Sequence, residues 1–294
     1  MKILETIRFR LAYLRKSRWA QLAQATWNNY QRTNGVQMAA GIALFAMLSL
    51  LPLIMLLVSA VSPVMQPIFP GYDMRQGILH FAQITVSPVA RLWLQNVLQS
   101  LDRNSVVVDG FTFIAFVWAA SNVFSQLDSS FQRIWQEGEA NSTSNLRLMV
   151  LEQFRRRRNG FLLLLLGLIS FIATSLIGRW TIEWRPALGG RSSIVQTLVT
   201  SLVAWLEGGF FLTLLYRWLL PERTRWRGIL VGALVASAAN LLVRELVTSF
   251  VDSTIGATTA NIGGPLALML GVYLFVQNIL IGCALVRQYI RVYA

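Results

Sequence analysis

Glu207 and Arg244 fall well inside long apolar runs. A charge at membrane depth is costly, so it faces protein or water and often marks function. Glu207 sits in Trp205-Leu206-Glu207-Gly208-Gly209. Arg244 follows Gly228, Gly232, Ala236 and Asn240 at intervals of four, which puts all five on one helical face, small at one end and polar at the other. Counted from helix ends at Leu220 and Ile229, Glu207 lies about 20 Å deep and Arg244 about 23 Å. Equal depth predicts a Glu207–Arg244 ion pair, which either locks two helices together or lines a substrate or ion path. Gln277 and Asn278 fall near the middle of the last apolar run and either join the same interior or bond between helices. Asn122 belongs to the polar stretch Ser121–Asp128, which should face protein or water. Pro52, in Leu51-Pro52-Leu53, removes a backbone donor and kinks its helix. Together Glu207, Arg244, Asn240, Gln277, Asn278, Asn122 and Pro52 are the candidate substrate-binding set.

Arg155, Arg156, Arg157 and Arg158 form a second candidate. Guanidinium groups grip phosphate in a bidentate way, so this run reads as a lipid-headgroup clamp or as plain topology-setting charge. Asp109 reads as a solvated helix end or a proton site. Enzyme signals are missing. There is no phosphate-binding glycine loop, no His-Glu-x-x-His and no paired acidic motif with metal spacing. His80 is the single histidine and Cys283 the single cysteine, so neither a disulfide within the chain nor a thiolate metal cage is expected. No cofactor is implied, and the expectation is a protein that is not an enzyme.

The elements that would position these residues are six apolar runs, about 38–61, 106–125, 160–177, 194–220, 229–250 and 265–286. Roughly 20 residues of helix cross the hydrocarbon core. The composition agrees: 55% hydrophobic and 13% charged. The expected fold class is therefore all-α, a polytopic membrane protein with six transmembrane helices and amphipathic interfacial helices. The net charge of +13 does not point to nucleic acid, because the cations cluster at the ends of the apolar runs. Nineteen of the 26 lie before the first run, in the second and fourth connections and in the tail. That asymmetry places both termini in the cytoplasm, and six crossings require the same. The organisation reads as an amphipathic cytoplasmic arm over 1–36, a six-helix domain over 37–287 and a cytoplasmic tail over 288–294. Residues 2–30 have helical apolar spacing among arginines and are expected in the inner interface. The outer connection, 63–105, carries a second amphipathic stretch from Pro88 that either roofs an outward cavity or lies on the outer leaflet.

Several pieces resemble the YihY/BrkB family of bacterial inner-membrane proteins. They are Gln37–Phe45 leading to Ser49-Leu50-Leu51-Pro52-Leu53, Trp118-Ala119-Ala120-Ser121 continuing to Phe131–Trp135, Leu220-Pro221 with Trp226–Ala233, and Ile262-Gly263 with Tyr273 and Gly282. The chain departs from the family pattern at Ile262, where tyrosine is common, and at Cys283-Ala284, where the family tends to carry an alanine-glutamate pair. The resemblance implies six helices with cytoplasmic ends and a part in envelope biogenesis, with movement of phospholipid or a lipid-linked substrate. The expected partners are membrane lipids and a periplasmic envelope or lipid-transport protein. Two other readings stay open: a small-solute or ion-coupled transporter using Glu207 or Asp109, and a scaffold that moves nothing. Small-residue faces permit an oligomer without requiring one.

Overall fold

The computed structural model describes residues 18–63, 67, 73–85, 88–103, 110–135, 193–220, 224–254 and 260–293. Among these the secondary structure is helical: α1 Arg18–Arg32, α2 Gly35–Leu56 with a π-helical turn Leu57–Val61, α3 Met74–Thr85, α4 Pro88–Arg103, α5 Gly110–Trp135, α6 Ser193–Leu219, α7 Trp226–Thr254 and α8 Ala260–Tyr293. Four segments are long and apolar enough to cross a membrane: Gly35–Ser59, Ser201–Leu219, Trp226–Phe250 and Gly263–Val292. They match the first, fourth, fifth and sixth expected runs. The second run corresponds to α5, whose 26 residues reach about 39 Å. Its half from Ser121 to Ser130 is too polar to be read as a span on apolarity alone. The third run, 160–177, and Arg155–Arg158 lie outside the described residues, as does the arm before Arg18. The chain is a polytopic all-α membrane protein. The described residues supply four such spans toward the six expected.

Exposure explains why these helices need a bilayer. Phe210, Leu242 and Leu246 are 68%, 68% and 69% exposed, and Leu48 and Trp118 are exposed as well. In water such a surface would drive association; in hydrocarbon it is neutral. With no hydrophobic drive between helices in lipid, association rests on close packing and on polar ties. Both are present. Trp205 Nε1 donates to the Leu234 carbonyl at 3.0 Å, and the Ser237 hydroxyl donates to the Trp205 carbonyl at 2.8 Å, which fixes the register of α6 against α7. At Gly282, α8 lies so close to α6 and α7 that an added Cβ would meet the Tyr216 hydroxyl and, at 2.9 Å, the Ala236 methyl.

Two buried clusters organise the bundle, beside a minor one of Val247 and Ala267 between α7 and α8. Taking the end of α2 at Gly35 as the base, the larger core is basal and joins α1, α2 and α5 to α8 through residues such as Tyr30, Ile42, Phe131, Tyr216, Ile229 and Leu280. The smaller lies at the far end and joins α2 from Ile54 onward, α3, α4 and Leu268 of α8. The α3–α4 hairpin thus sits on the bundle, with α4 against α8 and α3 against the π-helical turn.

α1, the described part of the expected amphipathic arm, has a face docked on the bundle. Leu22, Thr26, Asn29 and Tyr30 are buried, and the helix packs chiefly along α8. Its opposite face carries exposed Trp19 and Trp27, the amphipathic rings that favour a membrane boundary. The turn into α2 uses Asn34 at φ 57°, a left-handed conformation that asparagine tolerates. Gly35 follows because the Tyr30 ring occupies the place of a side chain there.

Candidate functional site: a half-buried polar strip on α7 and α8

Antiparallel packing of α7 on α8 brings Ala236 beside Gly282 and Asn240 beside Asn278. Asn278 Nδ2 donates to Asn240 Oδ1 at 2.8 Å, and neither side chain is fully buried. Three candidates therefore share one strip: Asn240 and Asn278 bonded to each other, and Arg244 one turn beyond Asn240; Gln277, half-buried, precedes Asn278 about a quarter-turn around α8. The small face Gly228–Gly232–Ala236 leads into this strip, as the spacing of four predicted, because each small residue lets α8 approach and the register then carries on to Asn240.

Arg244 corrects the ion-pair expectation. Its Nη2 lies 2.7 Å from Glu245 Oε1, so the pair shown is within α7, with the arginine side chain 26% and the glutamate side chain 69% exposed. Glu207 is half-buried on α6 at the level of Val235 and Ala236, by the register that Trp205 and Ser237 set. That places it about 12 Å along the axis from the level of Arg244. Equal depth failed because α7 begins at Trp226, earlier than the apolar pattern suggests, and α6 ends at Leu219. Measured from Trp226, Arg244 is 18 residues along, about 27 Å. It thus stands near the far boundary of the bilayer, where a guanidinium reaches headgroup depth.

The other candidates are elsewhere. Asn122 Nδ2 donates to the Trp118 carbonyl at 3.0 Å on its own helix, so its polarity is satisfied locally on α5. Pro52 lies inside α2, half-buried, five residues before the π-helical turn. Arg155, Arg156, Arg157, Arg158 and Asp109 lie outside the described residues. No group of three or more histidine, cysteine, aspartate or glutamate side chains placed to hold a metal occurs among the described residues.

Two residues escaped the sequence reading. Glu245 carries no signal in the sequence, because it is off the four-residue spacing that marks the strip and lies on an exposed part of α7. Arg287 was counted among tail charges, yet it is 6% exposed. Its Nη1 donates to the Ile134 carbonyl at 2.6 Å and to Asn29 Oδ1 at 3.3 Å, tying α1, the last turn of α5 and α8. Carbonyls in the last turn of a helix lack intrahelical donors and attract cations, so Arg287 caps α5 from another element. The signal was available: Arg287 follows Leu280, Cys283 and Ala284 on the helical face that forms the core.

A membrane bundle with this order of helices was the fold that the resemblance implied. The family model described as virulence factor BrkB matches residues 26–292. The chain belongs to the BrkB family. No curated protein and no solved structure matches it. In this BrkB-family chain the match begins within α1 and ends within α8. The helix docked at the base is therefore part of the family unit.

Proposed function

We propose that this BrkB-family protein handles a phospholipid or a lipid-linked substrate in the bacterial inner membrane, as part of envelope biogenesis. Six spans with both termini cytoplasmic would place the base at the inner leaflet and Arg244 near the outer one. The observation that carries the reading is the half-exposed state of the polar strip. Asn240, Arg244, Gln277 and Asn278 are intermediate in burial, and the opposite face of α7 carries exposed Leu242 and Leu246. An amphiphile can set its headgroup on such a strip while its chains stay in the surrounding hydrocarbon. An ion-coupled site would need a carboxylate enclosed at the midplane; Glu207 is half-buried rather than enclosed, and Glu245 against Arg244 is 69% exposed. Phosphate is the headgroup chemistry that a guanidinium flanked by amides favours. A periplasmic lipid-conducting protein is the partner that would receive such a lipid.

Native mass spectrometry with lipidomics tests this on gently purified protein, wild type beside Arg244→Gln. Selective retention of an anionic phospholipid, lost in the variant, is the expected result. Bulk lipid in membrane proportions, unchanged by the substitution, would overturn the reading in favour of a scaffold or small-solute transporter.

A further inference from the structure

We infer that the α3–α4 hairpin is a hinged lid over the far end of the polar strip, moving about the Pro52–Val61 segment of α2. The inference deepens the lipid-handling reading and rests on it for what the lid would admit. Four independent observations support it.

The first is that the hairpin has its own buried cluster. α2 contributes Ala39 and Ile42 to the basal core, then Ile54 and Leu57 to the far cluster, in which Leu268 is the one fully buried residue of α8. Units with separate and smaller apolar cores open at lower free energy than the rest of a fold.

The second is the backbone of α2 beneath the hairpin. Pro52 has no N–H to give the Leu48 carbonyl, and five residues later the helix widens into the π-helical turn Leu57–Val61. At its entry the Leu57 amide is shared between the Ile54 and Leu53 carbonyls. Proline and π-turns are recurring causes of helix kinks, and π-turns concentrate at functional sites. Two such interruptions within ten residues make this the softest stretch of a helix otherwise continuous from Gly35.

The third is the seat on α8. Trp93 of α4 lies over Gly264 so closely that an added Cβ would fall on its side chain. The missing side chain gives the closed lid one defined seat on α8, a close approach that opening has to give up.

The fourth is position. The register of Asn240 with Asn278 sets Arg244 level with Leu274, and Leu268 one to two turns beyond, roughly 9 Å. The lid therefore covers the strip from the far side, next to the end where Arg244 stands. Closed, it stands across the outer end of the half-exposed strip; swung away from α8, it would widen the approach of a headgroup to Arg244 and Asn240.

Two measurements on the full-length protein in lipid nanodiscs test this. Hydrogen exchange of the α3 and α4 amides reads lid opening directly. Pro52→Ala restores a backbone donor and should slow that exchange by about tenfold while leaving α8 amides near Leu280 unchanged. Leu94→Cys with Leu268→Cys, two positions of the far cluster, oxidised, should staple the lid shut; the native Cys283 is buried and gives little background. Retention of anionic phospholipid should fall on oxidation and return on reduction. Unchanged lid exchange in both Pro52→Ala and the cross-linked protein would overturn the lid. Slowed exchange with lipid retention unaffected by oxidation would keep the lid and remove its role in lipid entry. Failure of the reduced protein to retain any lipid selectively counts against the lipid reading alone, since exchange still decides the lid.

Discussion

The base and the far end of this bundle are held by different means. At the base, a core shared by six of the eight described helices is cross-tied by polar groups. The Tyr216 hydroxyl donates to the Ile279 carbonyl at 2.8 Å, and Arg287 caps α5 while holding Asn29. At the far end, a small cluster of aliphatic side chains seats the α3–α4 hairpin on an interrupted helix and a glycine. In a bilayer, apolar side chains gain little by leaving lipid, so cross-helix hydrogen bonds distinguish a rigid region from a mobile one. The comparison predicts global effects from basal substitutions and local effects from far ones.

The sharpest way to break it is Arg287→Leu. That change leaves the Ile134 carbonyl and Asn29 without their donor inside the core, and should cost about 3–5 kcal/mol. The expected result is a large drop in thermal midpoint in detergent, with α1 and the end of α5 losing exchange protection together. A drop confined to α1 would show that the tie to α5 matters little. Leu94→Ala, in the far cluster, should cost about 2–3 kcal/mol locally. Because that cluster is separate, faster exchange in α3 and α4 should appear with a smaller change in the global midpoint. An equal loss of midpoint would merge the two regions into one. Asn240→Leu removes the bond to Asn278 near the boundary between the regions, and should cost about 0.6–1 kcal/mol, read as a small shift in midpoint.

The smallest effect is expected at Tyr30. Its hydroxyl is buried without a hydrogen-bond partner, so Tyr30→Phe should be neutral or stabilising by about 0.5 kcal/mol. Its pH signature is more specific. Burial first, and Tyr273 nearby second, push the phenol from 10.0 up to about 12. Below pH 10 both folded and unfolded chains keep this proton. As pH rises through the window from 10 to 12, the unfolded chain releases it first, so stability falls. Thermal midpoints across that window should decline less steeply in Tyr30→Phe than in wild type.

Much of this architecture was legible in residue order. Four of the six apolar runs reappear as helices long enough to span, because a membrane span advertises itself by unbroken hydrophobicity. The four-residue spacing from Gly228 to Arg244 located the strip, since helical geometry fixes which residues share a face. Asn240 and Asn278 were both nominated, and the structure joins them. The depth of Glu207 relative to Arg244 was not legible. It depended on where α7 begins, and Trp226-Arg227 opens that helix with residues that look like a loop when only apolarity is read.

What the sequence alone determined is the class, the helices and the faces: hydrophobic length and periodicity act locally, so they can be read one segment at a time. What the tertiary structure decided is pairing. Arg244 meets Glu245, Arg287 is drawn into the core to cap α5, and α1 docks along α8 with Asn29 and Tyr30 inward. These outcomes depend on register between helices distant in the chain. Register is set by close approaches such as Ala236 on Gly282 and by bonds such as Ser237 to Trp205, which exist only once the helices are side by side.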